Sequence, residues 1–233
     1  MTLVAVLSMV AMHAQVGTVI RDTIIGVPCR VYLPVGAEHG ADHLWPVLYL
    51  HHGMYGTEDD WTEKGRLLEL LDSLLQEKAI DERIIIMPDN CPGRPTSEEE
   101  RANATSGEWE NRFALFMEEV ENRYPVSRDP SRRAIAGLSM GGYHTMRVAY
   151  VLDGQFAHIG MFSPATFVHQ AATSPELLWI AIGTEDFLYD SLKAYRQWLD
   201  EHGVQYTYYE TGGGHTWPNW QDYFCRFLKA CKK

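Results

Sequence analysis

The sequence predicts an α/β fold, a mainly parallel eight-stranded sheet flanked by helices on both faces, and three observations carry that expectation. Short β-branched runs alternate with longer amphipathic stretches along most of the 233 residues, the pattern of parallel strands joined by helical crossovers. Val47–His51 (VLYLH) is a short apolar run ending at His52-Gly53, which suits a buried parallel strand. A Gly-Leu-Ser-Met-Gly turn, 137–141, stands between a strand pattern and a helix pattern. Sheets of this kind place their functional residues just there, outside the carboxyl ends of the strands.

Taken in order, Thr18–Ile25 and Pro28–Leu33 are rich in β-branched residues and flank Gly26, which predicts a hairpin. Val47–His51 is the third strand. Glu63–Lys78 carries leucines at 67, 68, 70, 71, 74 and 75, a helical apolar stripe. Arg83–Met87 reads as a strand stopped by Pro88. Residues 89–107 are polar, with Pro92, Gly93 and Pro95, and predict a long surface loop. Glu108–Arg123 is an amphipathic helix ending before Tyr124-Pro125. Arg133–Leu138 is a strand, Met140–Leu152 a helix, and Ala157–Phe162 and Leu177–Ile182 are strands. Leu188–His202 is a helix closed by Gly203. Val204–Glu210 alternates as the eighth strand, and Trp217–Lys229 is the last helix.

With 45% hydrophobic and 22% charged residues, the composition is that of a globular protein. No linker or repeat interrupts it, so residues 15–233 are expected to form one domain. A formal net charge of -11 argues against nucleic acid as a partner, because polyanions require clustered Lys and Arg. Met1–Gln15 is apolar from Leu3 to Met12 apart from Ser8, and small Ala14 lies where a signal peptidase cuts. The run is too short to span a bilayer. It resembles a signal peptide over residues 1–14, although no Lys or Arg precedes it. The expectation is a secreted or periplasmic protein, with a cytoplasmic location as the alternative. Cys29, Cys91, Cys225 and Cys231 form no C-x-x-C pair. Export permits disulfides among them and burial as free thiols is equally compatible with the sequence.

Gly137-Leu138-Ser139-Met140-Gly141 fits G-x-S-x-G, the turn that lifts a serine hydroxyl above a sheet. Small residues are needed because the sharp strand-to-helix turn crowds the backbone. A serine hydroxyl requires a base. His215 lies in Thr211-Gly212-Gly213-Gly214-His215, just after the eighth strand. That glycine run matches neither phosphate-binding pattern, G-x-x-x-x-G-K-[ST] or G-x-G-x-x-G. The acid that orients the base should follow the seventh strand. Asp186 in Gly183-Thr184-Glu185-Asp186 is the choice, with Glu185 and Asp190 as alternatives. The chain order Ser, Asp, His is that of α/β-hydrolases. Oxyanion stabilisation falls to the amides of Met140 and of Met54, which follows the third strand at His51-His52-Gly53. His51 and His52 lack a metal-ligand pattern such as H-E-x-x-H, so neither metal nor cofactor is expected.

These residues resemble the esterase D-like α/β-hydrolases, which include feruloyl, acetylxylan and tributyrin esterases. The matching pieces are LYLHHGMYGTEDDW ending at Trp61, IIIMPDN (84–90), Gly107-Glu108-Trp109-Glu110, RRAIAGLSMGGYHTMRVAY (132–150), IGTEDFLYD (182–190) and GGGHTWPNWQDYF (212–224). The likeness runs from about residue 18 to about residue 230. It implies a Ser139–Asp186–His215 triad, an oxyanion hole at Met54 and Met140, and a small ester or acylated saccharide as substrate. His144 departs from the family, which often has a small residue there, and the 91–107 segment is individual. Tyr55, Trp61, Trp109, Phe187, Trp217 and Trp220 lie in or beside the motifs and are candidate substrate contacts, since aromatic faces stack on sugars and aromatic acyl groups. The expected reaction is hydrolysis of feruloyl or acetyl esters of plant polysaccharides. Alternatives are a general short-chain carboxylesterase, an S-formylglutathione hydrolase-like thioesterase, or an acyltransferase on the same fold.

Overall fold

The computed structural model describes residues 17–37, 43–90 and 108–232. The stretch 1–14, Cys91 and the 91–107 segment, each given an expectation above, lie outside these residues.

Eight strands form one sheet in the order β1-β2-β4-β3-β5-β6-β7-β8. They are β1 (Thr18–Ile24), β2 (Val27–Leu33), β3 (Val47–His51), β4 (Ile84–Pro88), β5 (Arg133–Leu138), β6 (His158–Phe162), β7 (Leu177–Gly183) and β8 (Thr207–Thr211). β2 runs antiparallel to both β1 and β4. All other neighbours are parallel. β3, β4, β5 and β6 are buried along their whole length, which is why their sequences are continuous apolar runs rather than alternating ones.

Six helices are described: α1 (Asp60–Glu63), α2 (Leu67–Gln76), α3 (Glu108–Arg123), α4 (Met140–Val151), α5 (Tyr189–Glu201) and α6 (Trp217–Ala230). Leu67, Leu71 and Leu74 of α2 pack with Tyr223, Phe224 and Phe227 of α6 on one face of the sheet. Phe113, Phe116 and Val120 of α3, Met146 and Val148 of α4, and Leu192, Tyr195 and Leu199 of α5 cover the other. The expected α/β-hydrolase architecture is therefore present, with apolar layers on both faces of the sheet.

Three of the differences from the sequence expectation have a clear local cause. The single helix expected over Glu63–Lys78 is two helices. Gly65 sits so close to Trp61 that an added Cβ would come within 2.5 Å of the Trp61 carbonyl oxygen. Arg66 then adopts φ 53°, a left-handed turn that ends one helix before the next begins. Pro88 does not stop β4 but is its last residue, paired with Cys29; at a strand end the missing N–H costs no ladder bond. β8 begins at Thr207, not Val204. The Val204 amide instead donates to the Leu199 carbonyl and closes α5.

Cys29, Cys225 and Cys231 are free thiols. Burial pushes the Cys29 and Cys231 thiols up to about 12, which keeps them protonated and unreactive.

The connections place the site. β3 leads to β4 on one side of itself, whereas β4 leads back across to β5 on the other side. Chain direction across the sheet thus reverses at β3 and β5, and the crevice at their carboxyl ends is where this class of sheet binds ligands.

Candidate active site

Ser139 follows β5 and precedes α4 with φ 54° and ψ −118°. That conformation is costly for a residue with a side chain, on the order of 1–3 kcal/mol. Neighbouring contacts hold it. The Ser139 amide donates to the Phe162 carbonyl at 2.9 Å and its carbonyl accepts from the Ala165 amide at 3.0 Å. At Gly141 an added Cβ would lie 2.3 Å from the His52 carbonyl oxygen, so no side chain fits where α4 starts.

His215 reaches Ser139 from the loop after β8, the edge strand three places from β5 in the sheet. Its Nε2 lies 2.9 Å from Ser139 Oγ, and its Nδ1 lies 2.9 Å from Asp186 Oδ2 and 3.0 Å from Oδ1. With Nδ1 donating to the carboxylate, Nε2 is left to accept the serine proton. Of the three acids open to choice after β7, Asp186 is buried while Glu185 and Asp190 are exposed. Burial alone pushes the Asp186 carboxyl up, but the hydrogen bonds from His215 and from the Leu188 amide outweigh it and hold the group below the usual carboxylate range. It is ionised at neutral pH.

The segment after β3 meets Ser139. An added Cβ on Gly53 would lie 2.7 Å from Leu138 Cδ1 and 3.4 Å from Ser139 Cβ, so this backbone packs directly against the elbow. Met54 follows directly. Met140 is the first residue of α4, so its amide has no acceptor within the helix. The two amide-bearing residues thus flank Ser139.

The six aromatic candidates divide. Phe187 is 76% exposed and its ring centre lies 4.5 Å from that of His215. Tyr55 is also exposed. Trp217 is half-buried, edge-on to Trp61 and Trp220. Trp220 is buried, edge-on to His215. Trp61 and Trp109 are core residues. The Trp61 indole donates to the His51 carbonyl at 3.0 Å, and the Trp109 indole donates to His51 Nε2 at 3.2 Å. Both N–H groups and both ring faces are engaged internally, so these two shape the site from behind.

A polar scaffold under the site was not legible in the sequence. His51 is fully buried, and burial lowers its pKa well below the ordinary value, so the ring is neutral. It accepts from Trp109 through Nε2 and faces Thr145 Oγ1 of α4 through Nδ1, at 3.1 Å. Asn90 accepts from the His52 amide at 3.1 Å, and His52 Nε2 lies 3.1 Å from Asp89. The only sequence signal was position, since Asp89-Asn90 directly follows β4. His144 pairs with Glu110 of α3 at 2.9 Å, each side chain 1% exposed. Glu110→Ala is expected to destabilise the fold by about 3 kcal/mol, because it strands a buried imidazole. Glu110→Gln, which retains an acceptor, should cost less. Urea unfolding of the three proteins measures this, and equal midpoints for Glu110→Ala and the parent would remove the pair from the stability account.

Among the described residues no cluster of three His, Cys, Asp or Glu is arranged to hold a metal ion, and no helix is long and apolar enough to cross a membrane.

An elbow serine, a histidine in contact with it and a buried carboxylate behind the histidine, all at the carboxyl ends of a mostly parallel sheet, define the class as α/β-hydrolase. Comparison with known proteins narrows the class. The family model named Esterase matches residues 26–230, and the chain belongs to that family, the carboxylic ester hydrolases. It is 26% identical over 165 residues to an endo-1,4-beta-xylanase/feruloyl esterase of Xylanibacter ruminicola, a match spanning 67% of this chain and 22% of that longer protein. It is 23% identical over 230 residues to an acetyl esterase of Caldicellulosiruptor saccharolyticus, covering 80% of this chain and 83% of the relative. Among solved structures, a ferulic acid esterase from Anaeromyces mucronatus superposes with a TM-score of 0.81 at 22% identity, covering 94% of this chain and 92% of the other. An S-formylglutathione hydrolase from Staphylococcus aureus gives 0.71 at 18% identity, covering 92% and 98%. The two structures share the fold.

Proposed function

We propose that the protein is a serine esterase that cleaves feruloyl or acetyl esters of plant polysaccharides or their oligosaccharides. The observation that carries the mechanism is the single imidazole, His215, bonded at once to Ser139 Oγ and to the Asp186 carboxylate. Ser139 Oγ attacks the ester carbonyl carbon as its proton passes to His215 Nε2. The Met54 and Met140 amides stabilise the oxyanion. His215 then protonates the leaving alcohol, and the acyl group stays on Ser139. A water molecule, deprotonated by His215, attacks the acyl carbon and releases the acid and the free serine.

Support for the substrate class comes from the two relatives, a feruloyl esterase and an acetyl esterase, and from the exposed Phe187 and Tyr55 rings. Phe187 lies over the histidine, where an aromatic acyl group or a sugar ring would stack. Export, proposed from the apolar run Leu3–Met12, agrees with a polysaccharide substrate.

Initial rates on methyl ferulate, acetylated xylo-oligosaccharide, p-nitrophenyl acetate and S-formylglutathione test the assignment. The expected result is highest kcat/KM on the feruloyl or acetyl-sugar ester, with Phe187→Ala lowering it about tenfold, mainly through KM. A preference for the thioester would transfer the protein to the S-formylglutathione hydrolase reading. Acyl transfer to an added sugar, outpacing hydrolysis, would make it an acyltransferase.

A further inference from the structure

On the side of the sheet opposite Ser139, a cavity of about 610 Å³ opens at the amino-terminal ends of the parallel strands. Its walls come from the residues entering β3, β4, β5 and β6, together with Cys231 after α6. β5 and its flanks put it about 20 Å from the nucleophile, at 3.3 Å per residue. The hydrolytic reaction described above has no use for it.

Arg83 makes this cavity unusual. The residue is 5% exposed. Its Nε is buried without a hydrogen-bond partner, and the Cys231 thiol lies beside the guanidinium. No ion pair joins Arg83 to a carboxylate among the described residues, and leaving its Nε out of water without a partner is costly. The other buried arginine at this end, Arg133, also has an unpartnered Nε, but its terminal nitrogens are paired. It pairs with Glu121 at 2.6 Å and donates to the Gln155 and Arg128 carbonyls. Arg83 instead lines open space.

The remaining walls describe what would fill that space. Half-buried Trp45 supplies an aromatic face, fixed by an edge contact with His43 at 4.6 Å. Asp81 and Glu82 are exposed acceptors at the rim. Two carboxylates repel a phosphate dianion more than a monoanion, yet accept from hydroxyl groups. A guanidinium fork matches a carboxylate, and an indole face matches a sugar ring. We propose that this cavity is a second, non-catalytic site that binds a sugar carboxylate of the uronic acid kind, its carboxylate on Arg83 and its ring on Trp45. The site stands apart from the triad assignment and would hold even if that assignment failed.

The test is calorimetric titration of the whole protein with D-glucuronate, D-glucose and inorganic phosphate, beside hydrolysis of p-nitrophenyl acetate. Saturable binding of glucuronate is expected, at least tenfold tighter than either control. Arg83→Gln and Trp45→Ala should each weaken it tenfold or more while hydrolysis stays within twofold of the parent. Trp45→Ala and the shift of the Trp45 indole resonance on adding glucuronate to the parent protein decide the matter if Arg83→Gln does not fold. Equal binding of glucose would remove carboxylate recognition, and binding of phosphate in preference to glucuronate would make this a plain anion site; either overturns the proposal. So would absence of glucuronate binding, or binding indifferent to both substitutions.

Discussion

Ser139→Ala is expected to lower kcat by about 10⁶-fold on any ester the protein turns over, with KM changed little. The reasoning is geometric. Ser139 Oγ is the atom that meets His215 Nε2, at 2.9 Å, and it is carried on a strained turn with φ 54°. That turn holds it over the sheet at the crevice between β3 and β5. Alanine retains the fold, the Met54 and Met140 amides and the binding surface, so the loss isolates the covalent step. Purified enzyme assayed by a single-turnover method, with active-site titration to exclude contaminating esterase, gives the number. A residual rate within a hundredfold of the parent would mean that another group makes the acyl-enzyme, or that none forms.

Asp186→Asn should lower kcat about 10⁴-fold while leaving the thermal midpoint within a few degrees of the parent. The carboxylate accepts from His215 Nδ1 through both oxygens. An amide turned to present its NH₂ would favour the tautomer with the proton on Nε2, which cannot accept from serine. The charge that balances the imidazolium in the transition state is lost as well. Glu185→Gln and Asp190→Asn serve as controls and should stay within threefold, because both side chains are exposed and neither bonds the histidine. A drop for Glu185→Gln comparable to that for Asp186→Asn would move the orienting role to the neighbouring residue and require the 183–186 turn to rearrange in solution.

The strand count was legible because buried parallel strands leave an unmistakable trace. IIIM and VLYL are apolar without alternation, and the helices between them carry leucine or aromatic stripes. The elbow was legible because its chemistry is local: strand, glycine, serine and glycine are adjacent in the chain, and the strain depends on those few residues. Helix breaks were less so. The apolar stripe of 63–78 continues through Gly65-Arg66, and what divides it is the Trp61 backbone pressed against Gly65, a contact that periodicity does not encode. The aromatic candidates show the same limit. Trp61 and Phe187 both sit in motif loops, yet one is fully enclosed and bonded to the His51 carbonyl while the other projects over His215.

By itself, then, the sequence determined the order and kind of the elements and singled out Ser139 and His215 as the candidate nucleophile and base, since each follows from patterns of adjacent residues and from chain order. The tertiary structure decided what depends on residues far apart in the chain. It placed the buried Asp186 carboxylate, rather than Glu185 or Asp190, against an imidazole 29 residues away. It joined Trp109, Thr145 and His51 beneath the nucleophile, and paired Glu110 with His144 across two helices. It left Arg83 facing a cavity instead of a carboxylate. Burial and partner choice are properties of surfaces brought together from separate elements, and no local pattern records which surfaces will meet.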